Sequence, residues 1–170
     1  MGTANTKSTA ITNNDSTPAV MNDARLDGAV VREKVGTVEI AAADDNDSVY
    51  RMVRLHSSWR LSEVTRFNDA ITSGTDFNIG FWDTAENGGA LILENALADA
   101  VSLASASLTG VSEMYEAGSG VGVEDIEQRI WQMAGLTSDP NKFVDLCYKG
   151  VAVGSGAGTL SVRVRFVSGA

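Results

Sequence analysis

The chain carries one cysteine, Cys147, and one histidine, His56, so it is nearly bare of the two side chains that most often hold metals or activate nucleophiles. A lone cysteine cannot close an internal disulfide, which excludes a disulfide-stapled secreted scaffold. One His and one Cys with no ligand spacing around them predict no zinc site. Cys147 lies between Leu146 and Tyr148, the setting of a buried small hydrophobe and not of a reactive thiol. His56-Ser57-Ser58 has no acid placed to orient the imidazole, so a solvent-facing histidine at a strand end is expected. Basic residues are also scarce, 13 against 22 acidic, for a net charge of −9 over 170 residues. Phosphate recognition relies on clustered Lys and Arg, so nucleic acid is not expected as a direct partner. No run approaches the roughly twenty apolar residues of a membrane span. The opening MGTANTKSTAITNND lacks the apolar centre of a signal peptide. These absences together predict a soluble chain made in a reducing compartment, with no membrane partner.

Two short motifs dissolve on inspection. Asp44-Asp45-Asn46-Asp47 is acidic like a calcium loop but lacks its central glycine and closing glutamate. Gly118-Ser119-Gly120-Val121-Gly122 has no Gly-Lys-Ser/Thr, and Glu124 and Asp125 behind it would repel a phosphate. The first reads as a solvated turn and the second as a flexible break. No catalytic residue, cofactor site or metal site is expected, and the chain is not expected to be an enzyme.

What the chain does have is β texture. Hydrophobic residues make up 44%, charged residues only 21%, and there are 17 glycines. That balance favours a loop-rich β fold over a helical bundle. Residues 1–29 are mostly Thr, Asn, Asp, Ser and Ala and predict an extended arm, too poor in apolar residues to pack alone. Residues 30–170 predict one β-sandwich domain. Within it, residues 30–40 are β-branched around Gly36, a strand with a bend or bulge. Residues 49–56 and 59–67 read as further strands, and residues 142–153 as another. Leu160, Val162, Val164 and Phe166 alternate with Ser161, Arg163 and Arg165 in the clearest strand of all. Residues 90–93 suggest a short strand, whereas the Ala- and Leu-rich residues 96–106 fit either helix or irregular chain. Residues 124–134 form the one convincing helical stripe, through Ile126, Ile130, Met133 and Ala134, with Gly135 as its cap. The expected architecture is therefore an antiparallel β-sandwich, jelly-roll-like, with one short helix and an extended N-terminal arm.

The stretch GFWDTAENGGA, residues 80–90, continues a strand in which Phe77, Ile79 and Phe81 share one side. Asn87-Gly88-Gly89 then suits a reversal. Trp82 falls on the opposite side, and a large aromatic on an outer face asks for a second layer or a second chain.

Five segments resemble one family in one order along the chain. They are Lys7-Ser8-Thr9-Ala10-Ile11-Thr12-Asn13, Val35-Gly36-Thr37-Val38-Glu39, Thr84-Ala85-Glu86-Asn87-Gly88-Gly89-Ala90, Ala100-Val101-Ser102-Leu103-Ala104 and Leu136-Thr137-Ser138-Asp139-Pro140-Asn141. The chain is similar in these to small head decoration, or cement, proteins of tailed bacteriophages. The resemblance implies a β-sandwich that binds the outside of the head, clamps neighbouring subunits of the major capsid protein, and assembles as a small oligomer; Trp82 on an outer face and the few charges of the body predict a homodimer or homotrimer. It implies a virion location on the capsid exterior, with passage through the host cytoplasm during assembly, and no catalytic residues or cofactor. The residues expected to make capsid or subunit contacts are Ile11, Val20, Met21 and Leu26 on the arm, and Trp82 on the body. A second reading is a carbohydrate-binding or tail-associated β-sandwich, in which Trp82, Trp59 and Tyr50 stack on sugar rings. A third is an enzyme of unrecognised type.

Overall fold

The computed structural model describes residues 4–115 and 121–168. The chain divides into two compact units, residues 1–30 and 31–170. Of the glycine-rich break, Gly118, Ser119 and Gly120 lie outside the described residues.

The first unit is not extended throughout. It contains a helix, α1 (Thr9–Asn14), whose N-terminus is capped by Ser8: its hydroxyl accepts the Ile11 N–H at 3.3 Å. The Asn22 side chain ties this segment together. Its carbonyl accepts from the Asn13 amide at 2.9 Å, and its amide donates to Asn14 Oδ1 at 3.3 Å and Asp27 Oδ2 at 3.1 Å. No residue of α1 is buried. Short-range side-chain hydrogen bonds organise it instead, as Ser and Asn side chains can.

Among its described residues the second unit contains eight strands. They are β1 (Val31–Ile40), β2 (Val49–His56), β3 (Arg60–Asn68), β4 (Asp76–Asp83), β5 (Leu91–Val101), β6 (Ser107–Ser112), β7 (Phe143–Ala152) and β8 (Gly158–Val167). Two four-stranded sheets result, ordered β1-β8-β3-β6 and β2-β7-β4-β5, and every pairing is antiparallel. The pairs β1–β8, β2–β7, β3–β6 and β4–β5 nest as hairpin within hairpin, the jelly-roll-like arrangement the sequence suggested. Alternation places the core. Leu160, Val162, Val164 and Phe166 of β8 are buried with Leu61 and Val64 of β3, Phe77, Ile79 and Phe81 of β4, and Leu146 and Tyr148 of β7.

Three local expectations require correction. β1 pairs with β8 from Val31 opposite Val167 to Ile40 opposite Gly158 with no shift of register, so Gly36 marks no bulge in its own strand. The irregularity lies in β2, between Arg51 and Val53. Residues 96–106 are neither helical nor wholly irregular. β5 runs on to Val101 with Ala96, Leu97 and Ala98 buried, and β6 begins at Ser107. Burial against β4 overrides the helical leaning of Ala and Leu.

The expected helix over residues 124–134 shrinks to α2 (Ile130–Met133). Arg129 is extended (φ −86°, ψ 162°), and a separate 3-10 turn spans Val123–Asp125. The reason is tertiary. The Ile130 N–H donates to the Trp59 carbonyl at 2.8 Å and the Trp131 N–H to the Ser57 carbonyl at 3.0 Å, so the loop before β3 serves the amides at the start of the helix. Ile130, Met133 and Ala134 are buried as the stripe requires, whereas Ile126 is exposed. Gly135 does end the helix, at φ +70°. Its N–H donates to the Gln132 carbonyl and that of Leu136 to the Trp131 carbonyl, a Schellman closure.

Candidate interaction surfaces

His56 closes β2 and is half-buried, with Nδ1 2.9 Å from Ser58 Oγ and its ring edge-on to Phe143 at 5.0 Å. The acid in this region serves a different residue: the buried Ser57 hydroxyl donates to Asp139 Oδ1 at 2.5 Å and accepts the Lys142 N–H at 3.1 Å. Asp139 and Ser57 therefore pin two loops together, and the imidazole is packed among aromatic rings. Cys147 is fully buried, and burial pushes its thiol up to about 12. Among the described residues no three His, Cys, Asp or Glu side chains group to hold a metal ion. No helix of the described residues is long and apolar enough to cross a membrane.

The outer faces of both sheets are laced by compensated charge. On the first sheet, Arg165 bridges Glu33 at 3.2 Å and Glu63 at 2.9 Å, and Arg163 reaches Glu63 at 3.1 Å. Donation by the Thr65 hydroxyl, with support from both arginines, holds the Glu63 carboxyl below its ordinary range. On the second sheet, Asp145 sits between Arg51 at 2.9 Å and Arg54 at 2.8 Å, and Lys149 joins Asp47 and Glu94. Among the described residues one charged pair is buried in the body: Arg66 Nε donates to Glu113, while Arg66 Nη1 donates to Asn68. The Asn68 amide in turn holds the crossing chain through the Leu103 and Ser105 carbonyls.

The residues expected to make contacts divide cleanly. Ile11, Val20 and Leu26 are exposed, and Met21 is 93% exposed. Trp82, by contrast, is only 5% exposed, so its expected role as an outer aromatic waiting for a partner is corrected. β4 is covered on both faces by its own chain. The register of β5 slips between Phe81–Leu93 and Ile79–Ala98, and the Leu93 and Glu94 carbonyls fold over Gly80 on the side Trp82 shares. The three aromatics of the sugar-platform reading are also unavailable together. Tyr50 is buried, with its hydroxyl donating to Asp44 Oδ2 at 2.9 Å, and burial first and that bond second push it up to about 12. Trp59 stacks on Phe166 at 4.5 Å, with Lys34 Nζ 5.2 Å from its centre.

One surface feature was missed in the sequence. A groove of about 430 Å3 runs beside the start of β5 and the loop after α2. Leu91, Ile92, Leu136 and Pro140 make its apolar wall, and Asp83 pairs with Lys142 at 2.5 Å within it. Leu91 is half exposed. Its only sequence signal is the apolar Leu91 following directly on the Gly88-Gly89-Ala90 turn.

The body thus belongs to the class of eight-stranded antiparallel β-sandwiches with jelly-roll-like connectivity. No family model matches the sequence, and no curated protein does. Among solved structures, a chain of the capsid of Ralstonia phage GP4 is similar with a TM-score of 0.60 and 14% identity, over 85% of this chain and 88% of that one. A chain of the cyanophage Pam1 capsid asymmetric unit follows with a TM-score of 0.43 and 15% identity, over 83% and 86%. At these identities the likeness to the Ralstonia phage chain is a likeness of fold.

Proposed function

We propose that this chain is a structural protein of a phage virion, and within that class a head decoration protein. In this reading it binds the outside of the capsid, stabilises contacts between subunits of the major capsid protein, and acts as a homodimer or homotrimer after assembly from the host cytoplasm. The observation that carries the reading is the fold shared along most of its length with a chain of a phage capsid. The character of the surface supports it: the Cys147 thiol is buried and the half-buried His56 ring packs against Phe143, whereas Ile11, Val20, Met21, Leu26 and Val30 stand exposed. A clamp on a lattice needs only modest affinity per site, since repetition multiplies it.

The test is co-sedimentation of the purified chain with phage heads, beside a variant lacking residues 2–25. Binding by the full chain with weakened occupancy by the variant, at an unchanged melting temperature, is the expected result. Failure of the full chain to bind heads overturns the decoration role. Equal occupancy by the two chains removes the arm from it.

A further inference from the structure

We propose that residues 1–30 of one copy dock into the Leu91–Leu136 groove of a second copy, with Met21 as the leading side chain. The inference rests on the reading that this chain works through surfaces and in multiple copies, and it names the partner of the arm.

Each copy carries both halves of the contact, and both are exposed in the single chain: Met21 at 93% and Leu91 at 50%. Their chemistry matches. Residues 17–22, Thr-Pro-Ala-Val-Met-Asn, carry no charge. Flanking ionic side chains in the unit are engaged locally, Lys7 with Asp15 at 2.7 Å, Arg25 with Asp23 at 3.6 Å, and Asp27 with the Asn22 amide at 3.1 Å. In the groove, Asp83 and Lys142 cancel one another. Seating residues 17–22 in the groove therefore brings no charge of their own against its wall, which removes the usual obstacle to covering such a surface. Thr137 and Ser138 also line the groove, and hydroxyl side chains can bond the backbone of an incoming segment. An unbranched thioether adapts to an irregular apolar wall better than a branched side chain does. Asn22, next to Met21, already ties the unit together through Asn13, Asn14 and Asp27, so docking orders little new chain. A contact between two different patches, repeated from copy to copy, closes as a reciprocal pair or a ring of three, the two assemblies expected for this chain.

The test mixes two purified full-length variants, Met21→Cys and Leu91→Cys, under mild oxidation. Native Cys147 is fully buried and stays silent. A disulfide-linked species that forms in the mixture and far more slowly in either variant alone is the expected result. No mixed product, or equal product from Met21→Cys alone, overturns the proposal. A second measurement uses Met21→Asp and Leu91→Asp. Each is expected to weaken self-association about tenfold or more with the melting temperature unchanged, and Met21→Asp mixed with Leu91→Lys to restore it. Association unaffected by either single change overturns the proposal independently. Head co-sedimentation separates the two readings: heads bound without the cross-link sinks the exchange alone, and the cross-link without head binding sinks the decoration role alone.

Discussion

The backbone carbonyl oxygen of Met52 lies where a side chain on Gly36 would stand: a β-carbon built on Gly36 would approach it to 2.1 Å. The two residues belong to strands of different sheets. The irregularity of β2 at Met52 presents that carbonyl to β1, and only a residue without a β-carbon leaves room. Gly36→Ala is expected to destabilise the body by about 1–3 kcal/mol or more, because backbone must move rather than a side chain. Urea unfolding should show a lower midpoint with the slope unchanged.

The Arg66–Glu113 pair is expected to be costly to break and cheaper to replace. Both side chains are nearly inaccessible, 8% and 5% exposed. Glu113→Ala strands a buried guanidinium and should lose about 3–5 kcal/mol. The double change Arg66→Met with Glu113→Leu should lose less than the sum of the two single changes, a coupling that a double-mutant cycle reads directly.

Glu63 sets an acid-side dependence of stability. Its carboxyl is held below the ordinary value of 4.5, first by the Thr65 hydroxyl and then by Arg163 and Arg165. A depressed folded pKa means the unfolded chain takes the proton more readily. The contribution is therefore present above about pH 4.5 and is lost as pH falls through the folded value. Glu63→Gln is expected to flatten the acid limb of a melting-temperature profile below that pH and leave its neutral part nearly level. The effect should be small, since the pair faces solvent.

Cys147 reports on opening of the body. With its thiol buried and pushed up to about 12, it should not react with an aromatic disulfide at pH 8 in the folded chain. It should titrate as one thiol per chain in denaturant. Fast reaction under native conditions would mean that β7 is accessible.

Strand identity along this chain was legible because alternation is a local property. Leu160 to Phe166 and Phe77 to Phe81 carry period-two patterns that any buried-face strand must show, and both form strands. The helical stripe near residue 130 misled for the opposite reason. Periodicity cannot register that the Ser57 and Trp59 carbonyls receive the amides of Ile130 and Trp131, or that Arg129 breaks the run.

The sequence by itself determined an antiparallel β body, a polar N-terminal segment with isolated apolar side chains, and a buried cysteine. Each follows from composition or from spacing within a few residues, where the chain is its own context. Only the tertiary structure decided the rest. Trp82 is buried because β5 folds across the far side of β4, Gly36 answers a carbonyl from the other sheet, and the groove at Leu91 and Leu136 joins residues 45 positions apart. Such features arise where distant segments meet, and a pattern read along the chain carries no term for what another segment brings to it.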